Sequence, residues 1–130
     1  MDANRLKAIP IFGSLDAKTL EHVARQADEV VVAGGKTLAQ EGDIGWEFFA
    51  IERGAAEVTI GDDPVRILGV GDFFGELAMI EEEHRRTATV KATEDSTLVV
   101  LTRQAFNDLR REAPEVAAAF LDAMATYRRG

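Results

Sequence analysis

The chain has 130 residues, enough to bury a core as one domain without covalent staples. It carries 15 Lys+Arg against 23 Asp+Glu, a formal charge of −8, and its basic residues cluster no further than the isolated pairs Arg85-Arg86, Arg110-Arg111 and Arg128-Arg129. That excludes nucleic acid and an anionic membrane surface as direct partners, and the lack of cysteine excludes disulfides, thiolate metal sites and a cysteine nucleophile.

Three zones follow one another. In the first, Leu20, Val23, Ala24 and Ala27 recur at helical spacing and predict a helix over 15–27 with Ser14 as its N-cap. Pro10 and Gly13 separate it from a short helical turn around Arg5 to Ala8. The second zone, 29–102, reads as short strands punctuated by glycine: 29–33, 46–53, 55–60, 65–68 after the Gly61-Asp62-Asp63-Pro64 turn, 87–92 and 96–101. Alternation is clean only in places, so both sheet faces are expected to be partly buried, in an all-β barrel or jelly roll. In the third zone Thr102 caps a helix over 103–111 with Phe106 and Leu109 inward. Pro114 then opens a second helix, with Val116, Phe120, Met124 and Tyr127 along one stripe.

No stretch of about 18 apolar residues could span a bilayer, and the first ten residues hold Asp2, Arg5 and Lys7 rather than a signal peptide. A cytoplasmic setting is expected. Enzyme chemistry is not: His22 and His84 lie far apart and make no metal triad, and there is neither a G-x-S-x-G elbow nor a Walker A sequence. Both histidines are read as solvated or partly packed. Glu81 to Glu83 read as a solvated run, and Phe48, Phe49, Phe73 and Phe74 as core.

The segment from Gly71 to Val90 is the unusual one. Gly75 lets backbone approach a ligand closely, the following residues begin a helix whose N–H groups suit an anion, and an arginine pair precedes the next strand. An arginine facing those amides can clamp a phosphate, whereas Glu76 suits a hydroxyl donor such as a ribose 2′-OH. Phosphate and ribose together read as a nucleotide site.

Phe74-Gly75-Glu76-Leu77-Ala78-Met79-Ile80 and Arg86-Thr87-Ala88-Thr89 resemble the phosphate-binding cassette of the cyclic nucleotide-binding domain family. That family includes catabolite activator protein, regulatory subunits of cyclic-AMP-dependent protein kinase and cyclic-nucleotide-gated channels. Glu41-Gly42-Asp43, Gly45, Phe48-Phe49, Gly54 and Gly71-Asp72 match its further pattern in order.

The resemblance implies a mainly β fold with flanking helices. A jelly-roll of about eight strands would follow an N-terminal helical segment and precede two C-terminal helices. It implies one domain, with a lead-in at 1–28, the roll at 29–102, the cassette at 74–89 and the helices at 103–130. The implied ligand is cyclic AMP or cyclic GMP, with no other cofactor and no metal. The implied binding residues are Gly75, Glu76, Leu77, Ala78, Arg86, Thr87 and Ala88. Gly75 and Ala78 would offer N–H groups to the phosphate, Glu76 would accept from the ribose, and Arg86 would pair with phosphate oxygens. Arg85 is the alternative one register earlier, and Tyr127 is a candidate lid over the base. The expected function is a sensor module that passes ligand binding to its C-terminal helices. Its output is expected in a protein partner or an effector region of a larger chain, since none follows Gly130. The competing expectation is an interaction or scaffold domain of the same fold that binds no nucleotide.

Overall fold

A computed structural model describes residues 1–81 and 83–129, with side chains described up to Thr126. Three short helices lead: α1 (Ala3–Lys7), α2 (Pro10–Gly13) and α3 (Ala17–Gln26). Pro10 opens α2 rather than merely separating helices, since its missing N–H costs nothing at a first helical position. The cap of α3 is Asp16, not Ser14: the Thr19 N–H donates to Asp16 Oδ1 at 2.8 Å. Ser14 instead closes α2. A carboxylate accepts the orphan N–H better than a hydroxyl already turned to the Ile11 carbonyl.

The Thr19 backbone N–H, and then its hydroxyl, hold the Asp16 carboxyl below the ordinary aspartate value of 3.8. A depressed folded value means that this stabilisation is complete above 3.8 and is lost as pH falls through the folded value. Asp16→Asn keeps the acceptor oxygen and removes the charge. The wild-type chain should therefore melt above D16N near neutrality, with the gap closing below about pH 4. A gap in melting temperature independent of pH would contradict this.

Eight strands follow among the described residues. They are β1 (Asp28–Val32), β2 (Thr37–Ala39), β3 (Glu47–Arg53), β4 (Ala56–Ile60), β5 (Asp63–Leu68), β6 (Phe73–Phe74), β7 (Thr89–Ala92) and β8 (Ser96–Thr102). The short helix α4 (Leu77–Ile80) lies between β6 and β7, and α5 (Arg103–Glu112) and α6 (Pro114–Arg129) close the chain. The strands form two four-stranded antiparallel sheets, ordered β1-β8-β3-β6 and β2-β7-β4-β5, a roll rather than a closed barrel. Pro64 falls inside β5 rather than in the preceding turn. β5 is an edge strand, where a missing N–H is tolerated.

The two central strands of the first sheet, β3 and β8, are buried on both faces, while β1 at its edge is exposed. Phe48 and Ala50 of β3, with Val99 and Leu101 of β8, pack against the helices. Phe49 and Ile51, with Leu98 and Val100, pack between the sheets. This two-sided burial is why the strands show no simple polar alternation. On the helical side, Phe120 of α6 stacks on Phe12 at 5.6 Å between ring centroids and meets Phe48 edge-on at 5.4 Å. Such pairs add about 0.5–1.5 kcal/mol each beyond their buried area. They fix α6 against the roll. Thr102 Oγ1 accepts from the Ala105 N–H at 3.1 Å, so β8 passes directly into α5.

Candidate functional site

A cavity of about 670 Å³ opens between the cassette and the second sheet. That lies within the range of small-molecule sites, about 300–1,000 Å³. Ala39, Val58, Leu68, Phe74 and Val90 make an apolar wall. Gly75, Glu76, Leu77, Arg86, Thr87 and Ala88 border it on the cassette side. Six of the seven residues expected to bind ligand are thus brought to one cavity. Ala78 lies behind them, fully buried, and its N–H donates to the Gly75 carbonyl at 3.1 Å. The Tyr127 side chain lies outside the described residues.

Arg86 is the charged residue of the cavity border set deepest in the protein. It is 9% exposed, and Nη2 donates to the Glu47 carbonyl at 2.9 Å. The Glu47 carboxylate is 3.8 Å away, at the outer limit of an ion pair. Burial pushes the Arg86 guanidinium below its ordinary value. Glu47 opposes this, Arg103 reinforces it and Glu76 opposes it. An arginine stays protonated regardless, so the site keeps a desolvated cation.

The surrounding glycines make room for it. A Cβ on Gly45 would stand 2.8 Å from Arg86 Cζ, and one on Gly75 would stand 2.7 Å from Nη1 and 2.5 Å from the Glu47 carbonyl. The loop between β2 and β3 also holds the Arg86 backbone. Its N–H donates to Asp43 O at 2.7 Å, and its carbonyl accepts from the Gly42 N–H at 2.9 Å. The Glu41-Gly42-Asp43 and Gly45 pattern therefore serves the arginine directly. Arg85 faces elsewhere: its Nη1 donates to the Gly42 carbonyl at 2.8 Å, and it does not border the cavity.

Gly75 has φ of +85°, so its turn delivers Glu76 to the start of α4 in a conformation that a side chain at 75 resists. Glu81 and Glu83 do not border the cavity. Both are exposed, and Glu82 lies outside the described residues.

Three contributors to the site were not expected from the sequence. His84 borders the cavity with its Nδ1 3.0 Å from Glu81 Oε2. Glu47 supplies the acceptor of Arg86. Arg66 reaches the cavity from β5 while remaining largely exposed. Strand alternation puts Arg66 on the face of the buried Leu68 and opposite Val58, leaving Val65 and Ile67 in solvent. With β5 starting at Asp63, that parity was the available signal.

A profile of the cyclic nucleotide-binding domain matches residues 29–113. The chain is 34% identical over 110 residues to a cyclic nucleotide-gated potassium channel of Rhizobium etli, covering 85% of this chain and 30% of the channel. It is 40% identical over 105 residues to the cAMP-dependent protein kinase regulatory subunit of Schizosaccharomyces pombe, covering 80% of this chain and 25% of the subunit. Its fold is similar to the N-terminal domain of a transcriptional regulator from Streptomyces coelicolor, at TM-score 0.79 and 29% identity over 96% of this chain and 90% of that one. The chain thus spans between a quarter and a third of the two curated relatives.

Proposed function

Because the chain belongs to the cyclic nucleotide-binding domain family, we propose that its cavity takes a 3′,5′-cyclic nucleotide and that occupancy is passed to α5 and α6 to regulate an effector. The observation that carries this is Arg86. It is a buried cation on a nucleotide-sized cavity, with a carboxylate only at the limit of ion pairing. A cyclic phosphate supplies the missing charge in planar, bidentate form. Gly75 lets the backbone approach that phosphate, and Glu76 accepts from the ribose 2′-OH. Thr87 and Ala88 border phosphate and purine. The apolar wall takes the purine face.

Arg66 bears on which purine is held. Guanine offers two acceptors on one edge, O6 and N7, whereas adenine pairs its N7 with an N6 donor. A guanidinium only donates, so it satisfies both guanine acceptors and one of adenine's. Cyclic GMP is therefore expected to bind more tightly than cyclic AMP by about 5-fold or more, at the low end of bidentate discrimination because Arg66 is exposed. Calorimetric titration of the wild-type chain and Arg66→Ala with both nucleotides tests this. R66A should lose the preference while holding cyclic AMP within a few-fold of wild type. An unchanged ratio in R66A would remove Arg66 from recognition.

A further inference from the structure

We propose that Arg103 is a positioning residue that ties the cassette to the C-terminal helices, so that movement of α4 or of the wall behind Arg86 is delivered to the start of α5. This rests on the cyclic-nucleotide assignment of the cavity.

Arg103 is the first residue of α5, directly after its Thr102 cap, so its backbone moves with that helix. The side chain turns back to the cassette. Nε donates to the Ala78 carbonyl at 2.8 Å, and Nη2 donates to the Gly45 carbonyl at 2.8 Å and the Glu81 carbonyl at 3.1 Å. The Arg103 N–H donates to the Trp46 carbonyl at 2.8 Å, and its guanidinium lies 4.8 Å from the centre of the Trp46 ring.

These acceptors come from two segments that ligand binding would move. Ala78 and Glu81 belong to α4 and its end, where helical carbonyls lack partners within the helix. Gly45 leans on Arg86: the space of its absent Cβ is filled by the Arg86 guanidinium. One planar group thus holds the back of the cassette helix and the wall behind the phosphate arginine. Among the described residues all three side-chain acceptors are carbonyls, so this link depends on geometry. A lysine carries the charge but cannot fork across three carbonyls on two segments. Beyond the junction, Phe106 of α5 meets Phe120 of α6 at 6.2 Å, which continues the contact into the last helix.

Trp46 is the only tryptophan in the sequence and sits at this junction, 55% exposed, so its emission reports on it. The test titrates wild type, Arg103→Lys and Arg103→Gln with cyclic GMP and cyclic AMP. It records Kd by calorimetry, Trp46 emission, and amide hydrogen exchange across α5 and α6. Melting curves establish that each variant is folded. Binding to wild type should change Trp46 emission and exchange in both helices. R103K and R103Q should keep Kd within about 10-fold of wild type, because the phosphate contacts remain, yet lose half or more of the response in α5 and α6. A variant with the full helical response would overturn the role of Arg103. So would wild type that binds while Trp46 emission and α5 exchange stay unchanged, a result that needs no variant to fold. Absence of binding by wild type would instead overturn the nucleotide assignment, and the coupling with it.

Discussion

Arg86→Met should abolish cyclic nucleotide binding without weakening the free protein. In the folded chain Arg86 is a buried cation whose backbone acceptor among the described residues is the Glu47 carbonyl and whose Glu47 carboxylate partner stands 3.8 Å off. Burying such a charge costs solvation that a pairing at this distance does not return, and replacing buried ionic groups with apolar ones of similar volume is often neutral or stabilising. The melting temperature of ligand-free R86M is therefore expected to equal that of wild type or exceed it by a few degrees. Binding is another matter. Removing the buried partner of a charged ligand costs about 2–5 kcal/mol, so Kd should rise at least ~30-fold. The pair of results discriminates. A purely structural arginine would lose stability on substitution, and a bystander would leave Kd alone. Arg85→Met is the control: its guanidinium bonds Gly42 away from the cavity, so Kd should change little.

Gly75→Ala should damage both binding and stability through one added carbon. Gly75 sits at φ +85°, where an L side chain is strained by about 1–3 kcal/mol. Its Cβ would also meet the Glu47 carbonyl oxygen at 2.5 Å and Arg86 Nη1 at 2.7 Å. The first contact is with backbone of β3, which is paired to β8 on one side and β6 on the other and cannot easily yield. The same carbonyl is the acceptor of Arg86, so moving it releases that side chain as well. Strain and clash together should cost roughly 2–4 kcal/mol, a fall in melting temperature of about 10 °C for a chain of this size. Binding should be lost even where the variant folds. G75A with unchanged melting and Kd would mean that the turn relaxes, and that the tight seat of Arg86 is not needed.

The cassette residues were legible because they lie close together in sequence. Gly75, Glu76 and Leu77, and then Arg86, Thr87 and Ala88, lie in two short runs, and the structure brings both to one cavity. The stripes of α3 and α6 were legible because one face of each is buried: Leu20, Val23 and Ala24 on the first, Val116, Phe120 and Met124 on the second. The strands β2 and β6 were not, since three and two residues carry no period and are held by their partners alone. The start of α3 was misplaced because Ser14 and Asp16 are both good caps, and only the geometry shows which one meets a free N–H. Arg66 and Glu47 were missed for a different reason. Their facing depends on strand register, and Arg86 takes Glu47 by its backbone carbonyl, which any residue could offer. Arg103 is the extreme case: its three side-chain acceptors among the described residues are all carbonyls, and carbonyls have no signature in sequence.

Calorimetric titration of the purified wild-type chain with cyclic GMP and cyclic AMP tests the central claim most directly. The cavity around Arg86 predicts saturable binding at one site per chain. Heats of dilution alone for both nucleotides, from protein shown to be folded and ligand-free, would contradict it and leave this roll as a protein-interaction domain whose arginine holds only its own backbone.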